Sequence, residues 1–382
     1  MPRHGDSITV SSGATVSADA SMPTEAQWRS DLVTRVAGSD RYSTAIQISR
    51  RNHRTASTVV LCAGWAFPDA LSAAPLAGSY DAPLLLTPRD ALPAGLLAEI
   101  DRLGATKVIV VGGAAAVGAA PVAALQAHGL TVERISGGDR YATSCAVYAA
   151  LKAREGSGLP AEPFLVNGDR FPDALSAASY AACERRPILL TKASFCPYSV
   201  RTLTRQYSLN TYYIIGGTAA VSDDVIQQLA DASVSGQVYY ARLAGTDRYD
   251  TSAALADAYG GHFDFVGIAS GASFPDGLAG GALCGARSGP LLLTPRDGLT
   301  PREEALIADN ADWLYQVQAF GGAGVVGARV LTDARAATGV AASGVGAQST
   351  DGGERVAPLS AQGATILGLQ GQRFERVTRR VR

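Results

Sequence analysis

The chain has 382 residues, 47% of them hydrophobic and 18% charged, with a formal net charge of -1. That length and apolar content suit two or three packed domains and exclude a disordered chain. The near-zero charge removes any bulk attraction to nucleic acid or to an anionic membrane, so a polyanion could be held only by locally placed arginines. No apolar run approaches the roughly 20 residues of a membrane span.

Residues 1–32 form a polar leader rich in small side chains, without a charged head followed by an apolar stretch. Either a secretion signal is already removed or the protein stays inside the cell. From Arg35 the pattern changes period repeatedly. A short arginine-led strand, "RVAG", precedes a helix that starts at Asp40 and carries Tyr42, Ala45 and Ile46 on one side. A continuous apolar strand, "TVVLCAG", comes next, then a helix of small residues after Asp69. The strand "APLLLTP" (82–88), a helix near 94–104, the strand "KVIVVGG" (107–113) and a weaker helix to about His128 complete the unit. Unbroken Val/Ile/Leu strands are covered on both faces, and their alternation with helices implies a parallel α/β sheet of about four strands.

The same order of phrases is then written twice more. "RVAGSDRYSTA" (35–45) returns as "RISGGDRYATS" (134–144) and "RLAGTDRYDTS" (242–252). "GWAFPDALSA" (64–73) returns as "GDRFPDALSA" (168–177) and "GASFPDGLAG" (271–280). A strand ending in two glycines closes each copy at 108–113, 212–217 and 317–322. Asp69, Asp173 and Asp276 are 104 and 103 residues apart, so the period is a whole small domain. The chain divides into a leader (1–32), repeats at 33–132, 133–240 and 241–335, and a Gly/Ala/Ser-rich tail (336–382) ending in the basic "RFERVTRRVR". The tail reads as low-complexity or linker material.

Asp40, Asp139 and Asp247 follow Gly38, Gly137 and Gly245 and are suited to cap helices, because a carboxylate accepts free N–H groups of the first turn. Pro68, Pro172 and Pro275 suit helix starts. The glycine pairs end strands where open α/β sheets place binding crevices, yet none forms a dinucleotide fingerprint or a P-loop. Five cysteines, Cys62, Cys145, Cys183, Cys196 and Cys284, show no C-x-x-C spacing and read as small buried residues. The histidines His4, His53, His128 and His262 occupy non-equivalent places, so no triplicated triad can be assembled from them.

Three ordered copies of R-[V/I/L]-x-G-x-D-R-Y, G-x-x-F-P-D, P-[L/I]-L-L-T and a Gly-Gly strand resemble the cell wall binding repeat 2 family of Gram-positive surface proteins, over roughly residues 33–330. The resemblance implies three Toprim-like α/β modules packed with pseudo-threefold symmetry. It also implies a secreted, non-catalytic surface anchor for an anionic cell wall polysaccharide or teichoic-acid-like polymer, usually beside a separate effector domain. Two departures stand out in the third copy: Gly277 replaces Ala70 and Ala174, and "VQAFGG" is less apolar than its equivalents. Catalytic Toprim-like proteins hold magnesium with a glutamate and an Asp-x-Asp pair; neither recurs, and a single carboxylate per module is a poor metal site. No cofactor is implied.

The candidate binding residues are Arg41, Arg140 and Arg248 with Asp69, Asp173 and Asp276, and the capping Asp40, Asp139 and Asp247. An arginine in the first turn of a helix opposes the positive helix end and asks for a nearby anion. That anion is either a Phe-Pro-Asp carboxylate, with at least two such pairs within hydrogen-bonding reach, or a bound polymer. Tyr42, Tyr141 and Tyr249 are expected against the sheet. Two rival functions stay open: a secreted wall-modifying hydrolase, and an adhesin that uses the repeats as a scaffold.

Overall fold

The computed structural model describes residues 32–260, 262–339 and 374–379. Most of the leader and residues 340–373 of the tail lie outside the described residues. The first sheet is built from β2 (Thr58–Ala63), β3 (Leu84–Thr87), β4 (Lys107–Val111) and β5 (Thr131–Ile135), in the order β3-β2-β4-β5. The second contains β6 (Phe164–Asn167), β7 (Ile188–Thr191), β8 (Thr211–Ile215) and β9 (Gln237–Leu243), ordered β7-β6-β8-β9. The third contains β10 (Phe265–Ser270), β11 (Leu291–Thr294) and β12 (Gln316–Phe320), and its fourth strand is β1 (Val33–Val36), in the order β11-β10-β12-β1. All these pairings are parallel. The three sheets are separate, as three independent modules require.

The arginine-led strands cross the module joins. β5 and β9 begin the second and third sequence repeats, yet they pair with β4 and β8 of the preceding repeat. β1 closes the circle on the last repeat, with Val33 opposite Val317 and Val36 opposite Phe320. Each strand then leads into a helix of the next module: α1 (Arg41–Asn52), α6 (Arg140–Glu155) or α10 (Arg248–Asp257). The joins near residues 133 and 241 therefore fall inside β5 and β9, and sequence repeat and sheet are offset by one strand.

The helix starts follow the capping signals. Asp40 accepts from Ser43 N at 2.7 Å, Asp139 from Ala142 N at 2.7 Å, and Asp247 from Tyr249 N at 2.9 Å and Asp250 N at 2.8 Å. Prolines open α7 (Pro172–Glu184) and α11 (Pro275–Ala286). In the first repeat the corresponding helix is split into α2 (Pro68–Leu71) and α3 (Ala74–Tyr80). Pro75 explains the break, because it cannot donate to the carbonyl of Leu71. The remaining helices are α4 (Leu96–Leu103), α5 (Ala119–Ala127), α8 (Tyr198–Gln206), α9 (Asp223–Ala232), α12 (Pro301–Asp309) and α13 (Ala328–Ala337).

The small-residue helices α3, α7 and α11 pack on one another at the centre, through Ala74, Ala178 and Ala182 among others. The departures of the third repeat fit this packing. A Cβ on Gly277 would come 2.7 Å from Leu175 of the second repeat. A Cβ on Gly280 would run into the ring of Phe320, the bulky residue of the unusual "VQAF" strand. Alanine at 280 gains helix propensity of up to about 1 kcal/mol but overpacks a filled core, which costs about 1–3 kcal/mol. Gly280→Ala is therefore expected to shift the urea midpoint downward at unchanged slope; an upward shift would show the ring free to move.

Within the tail, residues 375–378 form a strand, β13 (Glu375–Thr378), antiparallel to β9. Composition disguised it, since a short alternating edge strand can be rich in arginine. Phe374 lies 5.3 Å from Tyr213 between ring centroids, Tyr240 Oη donates to Glu375 at 2.5 Å, and Arg379 N donates to Gly236 O at 2.7 Å.

His53 is buried at the end of α1, and among the described residues neither ring nitrogen has a hydrogen-bond partner. Burial holds its pKa down, from 6.5 to about 4. A depressed histidine favours the fold above pH 6.5, and that contribution, about 3 kcal/mol, is lost as pH falls toward 4. Glu303, pushed up to about 7 by burial, acts with opposite sign, because its protonated form suits the fold and it loses stability as pH rises from 4.5 to 7. His53→Gln should raise the melting temperature, relative to the parent, more at pH 4 than at pH 6.5; an equal effect at both pH values would remove His53 as a source of acid sensitivity.

Candidate functional site

A cleft lies where the C-terminal ends of the second module's strands meet the helix start of the third. The cleft between the second and third modules has a volume of about 630 Å³ and is lined by the Phe-Pro-Asp turn (Phe171–Asp173), the Gly-Gly turn near Gly217, and the segment Gly245–Arg248. Phe67 of the first module also reaches it. The corresponding residues elsewhere are Asp69 with Arg140, and Asp276 with Arg41; burial raises the pKa of each aspartate, and the arginine of the next repeat partly offsets it. Each repeated aspartate thus faces the following repeat, and the last faces the first.

Several triplicated interactions build the cleft. Gly112, Gly216 and Gly321 adopt φ of 120°, 99° and 106°, and a Cβ on any of them would crowd the Phe-Pro-Asp carboxylate of its own module. The carboxylates are half-buried beneath these turns. Burial pushes the pKa of Asp173 up to about 6, with Arg248 and Arg170 working against it. The Thr143 and Thr44 hydroxyls help hold Asp69 and Asp276 down.

A second arginine set, overlooked as site residues in the sequence, supports the other wall. Arg35 donates to Gly321 O at 2.6 Å, Arg134 to Gly112 O at 2.6 Å and Val117 O at 2.9 Å, and Arg242 to Gly216 O and Val221 O, both at 3.0 Å. Each grips the Gly-Gly turn of the preceding module. Their signal was visible, since every copy of the first phrase opens with arginine.

Arg41, Arg140 and Arg248 do not bond the Phe-Pro-Asp aspartates: among the described residues, no hydrogen bond or ion pair joins the two sets. Their Nη1 atoms donate instead to Gly64 O, Gly168 O and Gly271 O at 2.7, 2.8 and 2.7 Å. These carbonyls belong to the glycine that opens each Phe-Pro-Asp phrase, on the same module as the arginine. Arg140 also approaches Asp169 at 3.4 Å. Arg41 and Arg248 are exposed, and each makes a single hydrogen bond among the described residues. Most of the five guanidinium donors therefore remain for a ligand. Tyr42, Tyr141 and Tyr249 pack beside the same three glycines, which have no room for a Cβ.

The exposed Asp40, Asp139 and Asp247 cap their helices, so the backbone N–H groups they accept are already occupied. Among the described residues, the Phe-Pro-Asp helices α7 and α11 differ in having no side-chain cap. Phe67, Phe171 and Phe274 meet at the centre in a triangle with centroids 5.8, 5.4 and 5.9 Å apart. The guanidinium of Arg41 lies 5.8 Å from the Phe274 ring and that of Arg140 lies 6.0 Å from Phe67. The cleft between the second and third modules opens beside this hub, with Phe67 and Phe171 in its lining. Among the described residues no group of three or more His, Cys, Asp or Glu is placed to hold a metal ion, and no helix is long and apolar enough to cross a membrane.

Known proteins share this arrangement. The fold is similar to Cwp6 from Clostridium difficile, with a TM-score of 0.71 and 26% identity over 81% of this chain and 48% of that one. Cwp8 from the same organism gives a TM-score of 0.70 and 26% identity, covering 81% of this chain and 52% of its own. In sequence the chain is 31% identical over 278 residues to N-acetylmuramoyl-L-alanine amidase LytC of Bacillus subtilis (strain 168), and 29% identical over 285 residues to the amidase enhancer of that organism. These spans are 73% and 74% of this chain but only 53% and 38% of the relatives' own lengths. The model of the cell wall binding domain 2 (CWB2) family matches residues 35–121, 134–226 and 242–331, one match for each repeat, and the chain belongs to that family.

Proposed function

We propose that this protein is a non-catalytic anchor that binds an anionic secondary cell wall polymer in its three inter-module clefts, at the cell surface. The observation that carries the reading is the triplicated arginine at the module boundaries, which bonds a glycine carbonyl in every copy and, at Arg41 and Arg248, is exposed with that single bond among the described residues. A phosphate or carboxylate group of the polymer is met by Arg41, Arg140 or Arg248, with the uncapped starts of α7 and α11 adding backbone donors in their clefts. A repeating polymer engages the sites together, so weak individual contacts combine through effective concentration. The amidase name belongs to a longer relative, of which this chain spans 53%.

Charge-assisted contacts weaken as salt screens them. Retention of the protein on intact peptidoglycan sacculi is expected to fall steeply as ionic strength rises from about the 0.1 M range toward 1 M. Retention that is indifferent to salt, or release of sugar or peptide fragments during incubation, would favour the adhesin or hydrolase reading instead.

A further inference from the structure

The two residues between the glycine and the Phe-Pro-Asp of each phrase differ in every repeat: Trp65-Ala66, Asp169-Arg170 and Ala272-Ser273. Asp169 and Arg170 line the cleft between modules two and three, as does Ala220 behind the Gly-Gly turn. Trp65 and Ala116 are their counterparts between modules one and two, and the indole Nε1 of Trp65 donates to Ala116 O at 3.0 Å. The polar edge of the ring is therefore pinned to one wall, yet the side chain remains 48% exposed. Two residues further along the chain, the Phe67 ring lies 6.0 Å from the Arg140 guanidinium. A large apolar ring, held in orientation at the module boundary that also carries Arg140, is suited to a ligand that alternates apolar faces with anionic groups.

We propose that Trp65 makes the first cleft a sugar-ring subsite, stacking on the C–H face of a hexose while Arg140 takes the neighbouring anionic group. This rests on the reading that the polymer binds in the clefts. The other two repeats place Asp169 with Arg170, and Ala272 with Ser273, at these positions, so the three sites divide the work: all hold the anion, and the first selects for sugar. The variation inside an otherwise repeated phrase is then a specificity element.

The test uses the full chain with Trp28→Phe and Trp313→Phe, which leaves Trp65 as the only tryptophan. It is titrated with a hexose-phosphate polymer and, separately, with poly(glycerol phosphate) that carries no sugar. The hexose polymer is expected to blue-shift the Trp65 emission, and poly(glycerol phosphate) to leave it nearly unchanged. In the otherwise native chain, Trp65→Ala should bind the hexose polymer about tenfold more weakly, Trp65→Phe should recover most of that loss, and neither should alter poly(glycerol phosphate) binding. Undiminished hexose-polymer affinity in Trp65→Ala while Arg140→Ala still weakens it would overturn the subsite and leave the cleft reading standing. Binding that survives replacement of all three cleft arginines, or no binding of either polymer, would overturn both.

Discussion

Removing residues 32–38 is expected to destabilise the whole protein by about 5 kcal/mol or more, because it opens the ring of modules. β1 is the outer strand of the third sheet although it lies first in the chain. Its loss exposes the edge of β12 and withdraws Leu32, Val33 and Val36, all buried. Each such side chain contributes about 1.5–3 kcal/mol. Arg35 leaves with them, so the Gly321 and Gly327 carbonyls lose their donors. The melting temperature should drop by roughly 10 °C or more, and proteolysis should begin in the third repeat. Removing residues 374–379 is the control, because β13 is mostly exposed and lies outside the ring. Similar effects of the two deletions would contradict closure through β1.

The second large effect concerns the cleft arginines. Replacing Arg41, Arg140 and Arg248 by alanine removes one glycine-carbonyl bond in each module, from side chains that are exposed or half-exposed. Stability should change by only about 1 kcal/mol per site. Polymer binding should fall by about tenfold for each cleft disabled, and by far more for all three, since the remaining sites lose the help of their neighbours. A graded loss of retention on sacculi with near-constant unfolding midpoints is the expected pattern. A single substitution that abolishes retention would point to one dominant cleft, and a triple variant that binds normally would move the ligand elsewhere.

Point substitutions suit this question better than excised repeats. A fragment of residues 133–240 would cut through β5 and β9, leaving the start of its own phrase without the β4 partner it has in the intact chain. Poor binding by such a fragment would confuse misfolding with lost multivalency.

Much of the local structure was legible in the sequence because its causes are local. Asp40, Asp139 and Asp247 cap helices for the stated reason, Pro172 and Pro275 open them, and the Val/Ile/Leu runs are strands buried on both faces. The sharing of β1, β5 and β9 was not legible, because a short strand such as "RVAG" carries no mark of which neighbouring edge it will pair with. The role of Arg35, Arg134 and Arg242 depends on that sharing and was hidden with it. The ion pairs expected from Arg41, Arg140 and Arg248 also failed for a spatial reason, since a closer carbonyl on the module's own loop takes the guanidinium. Phe67, Phe171 and Phe274 were visible as a repeated letter, but only the closed arrangement brings them to one point.

The central claim is that an anionic polymer, held in the clefts, attaches this protein to the wall. The most direct measurement is retention of the full chain on sacculi before and after acid-labile polymers are stripped, with the peptidoglycan left intact. Strong retention before stripping and almost none after it is the predicted result; equal retention on both would contradict the account.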